Sequence, residues 1–390
     1  MTAWLRETAG GLPRNFWYLW AGTLINRVGG FVVIFLTIYL TTVREFTPSQ
    51  AGLVMGLWAV GSAIGNVLGG ISADRVGRKT TLLAGQVMAA LTLVAMAFAT
   101  DYWTIVGLAF IFGVFVDGVR PAFGALLIDI VPEKDRLRAF TLNYWAINVG
   151  FAVAATLAGL AAKADYHLVF LIDAGSTLLA TVFLFFTVTE PRRPVAARTP
   201  AAKQAGGGGL AAVFRDRIFL LFAALNIVTA FIFLQHLTTL PIAMTADGIS
   251  GETYGYVIAL NGVLIVLGQL FIPRLTRGMS RTRMLAISSV VIGAGFGLTA
   301  FADAPLFYAV TVLIWTLGEM LNSPANSTTM AALSPADLRG RYQGVFSLSW
   351  SIAGFSAPIL GGYLQEHAGN TALWLLCAAL GLAVAAAQVA

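Results

Sequence analysis

The chain has 390 residues, of which 58% are hydrophobic and only 11% are charged. A soluble protein of this size needs more charge to cover its surface, so the composition indicates a membrane protein that spans the bilayer several times. The single cysteine, Cys377, excludes an intrachain disulfide, and the three scattered histidines give little basis for a metal site. We therefore expect neither a metal nor a cofactor.

The apolar residues form blocks of about 20 residues, the length that crosses a bilayer as an α-helix. These blocks predict an all-α membrane protein with twelve transmembrane helices. In chain order, the predicted helices span residues 16–43, 49–73, 79–99, 102–131, 137–162, 168–188, 214–244, 251–276, 282–301, 304–332, 337–364 and 371–390.

The basic residues predict how these helices are oriented. If the N-terminus is cytoplasmic, Arg44 and Lys163 are the only Lys or Arg residues outside, Arg27 and Arg120 lie within helices, and the rest of the 24 face the cytoplasm. Such an excess marks cytoplasmic loops, so we expect both termini inside. The net charge of +6 then serves orientation and contact with anionic lipids rather than a nucleic-acid partner. The expected protein is a monomer in the plasma membrane.

A polar segment rich in Pro and Gly, residues 189–213, predicts a flexible cytoplasmic linker. It separates a six-helix half, residues 1–188, from a second six-helix half, residues 214–390. A constant shift of 203 residues relates the halves. It pairs Pro121 with Pro324, Pro132 with Pro335, Gly65 with Gly268, and Arg78 with Arg281. Two related halves that hold a substrate between them are typical of secondary transporters.

The stretch "GGISADRVGRK", residues 69–79, resembles the signature loop between the second and third helices of the major facilitator superfamily. The signature reads Gly-x-x-x-Asp-Arg-x-Gly-Arg-Lys, and the matching residues are Gly70, Asp74, Arg75, Gly77, Arg78 and Lys79. We expect Gly70 to allow a close approach of helices and Gly77 to permit a tight turn. The resemblance, with twelve predicted helices and the half-repeat, covers the whole chain.

The resemblance also implies a cytoplasmic gate. Asp74 would meet the positive N-terminal end of the eleventh helix, near residues 337–341. Arg78 would pair with a carboxylate at the cytoplasmic end of the fourth helix, where Asp129 stands. Such a cluster would hold the halves together when the site faces outward. The alternative is a charge run that only sets the topology.

Four ionisable residues lie near the middle of predicted helices, where charge is costly and a functional role is the default interpretation. They are Arg27, Asp117, Arg120 and Glu319. Burial favours the protonated form of a carboxyl and a nearby arginine favours the ionised form, so Glu319 and Asp117 are candidates for proton coupling. Asp117 and Arg120 can instead form a structural pair, because they are three residues apart. We expect Asp173, near the outer end of the sixth helix, to matter less.

The two arginines are candidates for proton exchange or for holding an anionic substrate. Polar and aromatic residues complete a candidate cavity lining, although aromatic residues also serve in packing and at the membrane interface. The candidate cavity residues are Arg27, Arg120, Asn26, Tyr39, Tyr144, Asn148, Gln235, His236, Asn322 and Trp350.

Two branches of the superfamily are similar to the chain. "YWAINVG", residues 144–150, and "GEMLNSP", residues 318–324, resemble helices of proton-coupled oligopeptide transporters, but Thr23 and Asn26 stand where that family has two glutamates. The layout as a whole resembles bacterial multidrug efflux proteins. We therefore expect proton-coupled export of small amphiphilic molecules, with proton-coupled uptake of peptides or other metabolites as the alternative.

A membrane receptor or enzyme that transports nothing is a third possibility. The sequence contains no nucleophile–base arrangement, metal motif or phosphate-binding loop that would favour an enzyme.

Overall fold

The structure is a computed structural model that describes residues 10–190, 210–269, 271–335 and 338–390. All regular elements in these ranges are helices. The long helices are α1 (Arg14–Val43), α2 (Pro48–Arg75), α3 (Arg78–Phe98), α4 (Tyr102–Ile130), α5 (Arg136–Ala164), α6 (Tyr166–Thr187), α7 (Arg217–Ala246), α8 (Gly251–Gly268), α9 (Arg281–Leu298), α10 (Pro305–Leu333) and a last stretch, Arg339–Val389.

The last stretch contains two membrane helices. Gly369 has φ 82° and ψ 167°, which no helix tolerates, so the 51-residue stretch divides into α11 (339–368) and α12 (370–389). The all-α architecture predicted from the sequence is therefore confirmed, and twelve spans are consistent with it. α8 is shorter than the predicted 251–276, because it ends at Gly268 and a separate short helix, Ile272–Leu275, follows.

α1 is broken in the middle. A first segment, Arg14–Val28, ends at Gly29, and a second segment, Val32–Ile38, continues into a π-helical turn. Non-helical backbone at membrane depth is stable only where protein groups or a cavity satisfy its hydrogen bonds. Asp173 of α6 supplies one such group, since its Oδ2 accepts a hydrogen bond from the backbone N–H of Val32 at 3.0 Å.

The described residues form two compact units that differ slightly from the two sequence halves. The first unit contains residues 10–46, 53–190 and 250–266, and the second contains 47–52, 210–249 and 267–390. α8 therefore belongs to the unit that holds α1 and α3–α6. The first turn of α2 belongs to the unit that holds α7 and α9–α12.

Glycines and one ion pair explain why α8 packs in the first unit. A Cβ at Gly255 would overlap the carbonyl oxygen of Ala155 on α5, so the two helices approach as closely as their backbones allow. Lys163 Nζ lies 2.7 Å from Glu252 Oε2 at the end of this contact. In the second unit, Ser49 of α2 likewise donates its backbone N–H to Glu366 Oε2 of α11 at 2.9 Å.

α2 and α4 pack through a row of glycines spaced four residues apart. A Cβ at Gly61, Gly65 or Gly69 would overlap carbonyl oxygens of α4. Small residues at this spacing let membrane helices approach until dispersion and weak hydrogen bonds hold them. The close approach predicted at Gly70 is wrong, because a Cβ there would make an ordinary contact at 3.8 Å. The close approach occurs instead at Gly69, the residue before Gly70.

Short connections join the helices of the first unit, and carboxylates cap them. Asp101 precedes α4 and accepts the backbone N–H of Thr104 at 2.9 Å, which lowers the pKa of the Asp101 carboxyl. Asp165 precedes α6 and accepts the backbone N–H of His167 at 2.8 Å, which lowers the pKa of Asp165 in the same way. Each cap lies directly before the helix that it begins, so three residues separate α3 from α4 and one residue separates α5 from α6.

The α2–α4 contact predicts that alanine substitutions at two glycines have different effects on the stability of the protein. Gly65→Ala should destabilise the protein, because overpacking costs about 1–3 kcal/mol and exceeds the gain in helix propensity. Gly107→Ala on α4 meets open space, since nothing lies within 4 Å of its Cβ position, so it should be neutral or stabilising. Melting temperatures of the purified variants in detergent test this. Equal melting temperatures for the two variants would contradict the packing account.

Candidate functional site

A cavity of about 180 Å³ lies inside the first unit, among α1 to α6. Each of these helices contributes to its wall. The lining residues are Asn26, Arg27, Gly30, Val33, Ile34, Trp58, Gln86, Ala89, Phe112, Phe115, Val116, Asp117, Val119, Arg120, Ile147, Phe151, Asp173 and Thr177. The break in α1 therefore opens onto this cavity through Gly30. Of the cavity residues predicted from the sequence, Asn26, Arg27 and Arg120 lie here, together with Asp117.

Asp117 is tied to its surroundings on both carboxylate oxygens. Its Oδ1 lies 2.6 Å from Nε of Arg120, one turn along α4. Its Oδ2 accepts a hydrogen bond from the hydroxyl of Ser62 on α2. The Asp117 side chain is 7% exposed, whereas that of Arg120 is 58% exposed and extends into the cavity. Nε makes this contact, and Arg120 also lines the cavity.

Close helix packing against the backbone and Cβ of Arg27 fixes its position. Its guanidinium takes no part in this packing contact. α5 packs so closely against this residue that a Cβ at Gly150 would overlap the Cβ of Arg27. The guanidinium lies within electrostatic range of Arg120, Asp117 and Asp173. Within the described part of the chain it forms no ion pair shorter than 4.0 Å. Its five donors are therefore available to a molecule in the cavity.

Asp173 is a cavity residue that the sequence analysis undervalued. It is 6% exposed, lies on α6, and binds the backbone of Val32 at the start of the second segment of α1. Thr177, one turn further along, accepts a hydrogen bond from Asn26 Nδ2 at 2.9 Å. α6 thus holds both edges of the break in α1. An acid inside an apolar block was the sequence signal that could have identified Asp173.

The rest of the cavity wall is mainly apolar and aromatic. Trp58, Phe112, Phe115 and Phe151 face the charged residues from α2, α4 and α5. Pockets that combine aromatic walls with a few polar groups are typical of sites for small organic molecules. None of these aromatic residues was predicted, because aromatic residues are frequent throughout the chain and only tertiary packing selects these.

Three predicted cavity residues of the first unit lie elsewhere. Tyr39 is buried, accepts a hydrogen bond from Arg44 Nε at 2.7 Å and packs against the ring of Phe170. Tyr144 is 42% exposed on α5. Asn148 is buried and donates to the carbonyl oxygen of Tyr144 at 2.9 Å. These residues are not part of the cavity wall described above.

Two further predicted residues, Gln235 and His236, are buried on α7 in the second unit. Gln235 Nε2 donates to the carbonyl oxygen of Ala357 at 3.2 Å, which joins α7 to α11. His236 Nδ1 donates to the carbonyl oxygen of Phe233 at 2.6 Å, and its ring lies against Trp315. Both side chains serve contacts within this unit.

A chain of buried amides links four helices of the second unit. Asn326 Nδ2 donates to Asn226 Oδ1 at 3.2 Å and also to the amide oxygen of Asn322. Asn322 in turn donates to Ser288 Oγ at 3.0 Å, and Asn226 donates to Ser349 Oγ at 2.7 Å. The predicted residue Asn322 is therefore part of a hydrogen-bonded network among α7, α9, α10 and α11.

Glu319 lies on α10, three residues before Asn322, and is half-buried. It takes part in an interaction and is not an isolated acid. Trp350 of α11 is 41% exposed, and its ring lies 6.4 Å from that of Phe233.

The signature loop between α2 and α3 is a turn held by ion pairs and a cap. Gly77 has φ 127°, a conformation that favours glycine. Arg78 forms an ion pair with Asp129 at the end of α4. Glu190, beyond α6, accepts the backbone N–H groups of Arg78 at 2.8 Å and Lys79 at 2.9 Å. Glu190 was not predicted from the sequence, because nothing in its local sequence distinguishes it from a surface acid.

The remaining charges of the loop lie at the same end of the unit. Lys79 Nζ donates to the carbonyl oxygen of Phe185 at 2.8 Å and lies over its ring. Arg75 ends α2, and Asp74 before it takes part in an interaction. The predicted partner of Asp74, residues 337–341, begins at residue 337, which lies outside the described residues. The contact between Asp74 and the eleventh helix stays a prediction.

Comparison with known proteins identifies relatives that match the chain over most of its length. The MFS-type transporter YttB of Bacillus subtilis (strain 168) is 29% identical over 374 residues, which cover 93% of this chain and 91% of YttB. A Na(+), Li(+), K(+)/H(+) antiporter of Planococcus maritimus is 25% identical, with 83% of each chain covered. The class H tetracycline resistance protein of Pasteurella multocida is 24% identical, and the match covers 92% of this chain and 91% of that protein.

Solved structures agree with the fold. The crystal structure of the nucleoside transporter NupG superimposes with a TM-score of 0.82 at 15% identity, covering 97% of this chain and 98% of NupG. The family model described as Major Facilitator Superfamily matches residues 19–358 and 237–389. Together these matches cover nearly all of the described helices, and the chain therefore belongs to the Major Facilitator Superfamily and is a multi-pass membrane transporter.

Proposed function

We propose that this transporter exports small amphiphilic or drug-like molecules from the cytoplasm in exchange for protons, and that it acts as a monomer in the plasma membrane with both termini cytoplasmic. The cavity of the first unit is the observation that carries the proposal, because it combines aromatic walls with two arginines. The names of two relatives, a tetracycline resistance protein and a cation/proton antiporter, support export and proton exchange.

In this proposal Arg27 and Arg120 bind the polar end of the substrate, and Trp58 and the phenylalanines pack against its apolar body. Arginine donates in a planar fork that suits carbonyl, carboxylate and phosphate oxygens. The aromatic walls add the larger part of the contact area. Asn26 stands at the same wall and supplies a smaller polar contact.

The proposed coupling acids are Glu319 and Asp117, which occupy nearly equivalent positions in the two sequence halves. Antiport requires an acid that holds a proton in one state and releases it in another. Asp117 is already paired with Arg120, so a change in that pair is a route for proton release. Glu319 supplies the acid on α10 in the second unit.

The signature loop is proposed as the cytoplasmic gate. The ion pair between Arg78 and Asp129 and the two backbone hydrogen bonds to Glu190 fix the shape of the loop. In this proposal the fixed loop holds Asp74 in a single orientation. A contact between the Asp74 carboxylate and the N-terminal end of the eleventh helix requires such an orientation.

Proton-coupled uptake of peptides or other small metabolites is a second candidate. The broken α1 favours it, since an interrupted helix with an arginine at the break suits the capture of an anionic metabolite.

A test of coupling replaces Glu319 with Gln, which mimics the protonated acid permanently. In proteoliposomes, Glu319→Gln should abolish proton-driven transport of an amphiphile panel that includes tetracycline, while binding and exchange persist. Asp303→Asn, an exposed acid in a loop, is the matched control and should transport normally. Full proton-driven transport by Glu319→Gln, with an unchanged pH dependence, would exclude Glu319 and leave Asp117 as the coupling acid.

A test of the gate replaces Asp74 with Asn. Loss of the carboxylate charge should reduce transport at least about tenfold, since a charge at a helix N-terminus contributes roughly 0.3–2 kcal/mol and several such contacts act together. Folding should stay intact, as judged by expression level and melting temperature. Normal transport by Asp74→Asn at normal expression would show that the loop charges only set the topology.

A test of orientation uses the segment at residues 189–213. In a Cys377→Ser background, a cysteine introduced by Lys203→Cys should react with an impermeant thiol reagent only after the cells are opened. Labelling in intact cells would place this segment outside and reverse the proposed direction of the gate.

A further inference from the structure

Four charged side chains line the cavity of the first unit, and their charges cancel. Arg27 and Arg120 supply two positive charges, and Asp117 and Asp173 supply two negative charges. The residues come from three helices, so the balance is a property of the folded unit and not of a local sequence motif. The other lining residues within the described part of this unit carry no charge.

Both aspartates use their carboxylate oxygens on donors that the protein supplies. Asp117 contacts Nε of Arg120 and the Ser62 hydroxyl. Asp173 accepts the backbone N–H of Val32 and lies within electrostatic range of Arg27. The cavity wall therefore holds two acidic and two basic side chains, whose formal charges sum to zero.

We propose that this cavity selects molecules without net charge, and that Asp173 is the residue that sets this specificity by balancing Arg27. The proposal rests on the proposed function only in taking this cavity as the substrate site. A ligand that brings an unbalanced charge among these mainly apolar and aromatic walls loses hydration without gaining a new counter-charge. A neutral ligand with an oxygen acceptor can receive the donors of Arg27 and leave the balance intact.

The walls specify the rest of the ligand. Trp58, Phe112, Phe115 and Phe151 present aromatic faces and edges to the cavity, and aromatic rings pack best against other rings. The cavity volume of about 180 Å³ suits a body of one or two fused rings. The chemical class is therefore a small aromatic molecule with an uncharged oxygen-bearing polar end.

Protonation of either aspartate raises the net charge of the cavity wall by one. An Asp→Asn substitution has the same effect on the net charge. The charged groups that share the cavity wall with Asp173 are Arg27 from α1 and Asp117 and Arg120 from α4, and Arg27 lies within electrostatic range of Asp173. α2, α3 and α5 contribute no titratable side chain to the described cavity wall. Ligand choice and proton occupancy are thus linked through the same small set of groups.

The test measures binding of three probes of nearly equal shape and different charge: 1-naphthamide, 1-naphthoate and 1-naphthylmethylammonium. Isothermal titration of the purified full-length protein at neutral pH should rank naphthamide first. In Asp173→Asn, which keeps an oxygen acceptor for Val32, naphthoate should gain at least about tenfold and become the preferred probe. In Arg27→Gln, naphthylmethylammonium should gain by a similar factor.

Two matched variants control for overall charge. Asp303→Asn and Lys134→Gln alter the charge by the same amounts on exposed residues outside the cavity, and they should keep the wild-type ranking. Melting temperatures establish that every variant is folded. A preference of the wild type for either ion, an unchanged ranking in both cavity variants, or binding of no probe to any variant overturns the inference.

The outcome is separable from the proposed function. If the three probes follow the predicted ranking but proteoliposomes show no proton-driven transport of any amphiphile, the charge-selective site stands and proton-coupled export is wrong. If transport is proton-driven but the ranking of the probes does not respond to Asp173→Asn, the charge balance is wrong and the transporter assignment is unaffected.

Discussion

The structure of the first unit depends on one hydrogen bond between a side chain and the backbone at membrane depth. α1 is interrupted after Val28, and the interruption removes backbone groups from the helical hydrogen-bond pattern at membrane depth. Asp173 accepts the free N–H of Val32, and its charge also faces Arg27. One carboxylate therefore stabilises the irregular backbone and the arginine together. Without it, the break would be too costly to keep beside a cavity.

Close helix packing gives this arrangement its frame. Gly61, Gly65 and Gly69 bring α2 against the backbone of α4, which carries Asp117 and Arg120. Gly150 brings α5 against Arg27 in the same way. The cavity lies among the helices that these glycines bring together, and larger aromatic residues line its wall. Helix packing through these glycines therefore determines both where the charged residues lie and what shape the cavity has.

The sequence predicts the helices well because membrane crossing imposes a length and a composition that can be read from each block. It also predicts that Arg27, Asp117 and Arg120 are special, since each is a charge inside an apolar block. It does not predict that α8 packs with α5, or that the glycine contact lies at Gly69, because these depend on how helices rotate against each other. Asp173 is, like Asp117, an acid inside an apolar block. Its partner, however, is the backbone N–H of Val32, which is free to bind a side chain only because α1 is broken there.

The central claim is that the cavity of the first unit, balanced by Asp173 and Arg27, is where the transporter binds its substrate. The most direct measurement is a crystal structure of the wild-type protein with 4-bromo-1-naphthamide, recorded at the bromine absorption edge. The account predicts one anomalous peak among Trp58, Phe112 and Phe151, with the amide oxygen on Arg27. A bromine peak outside this cavity, with the cavity empty, would contradict it.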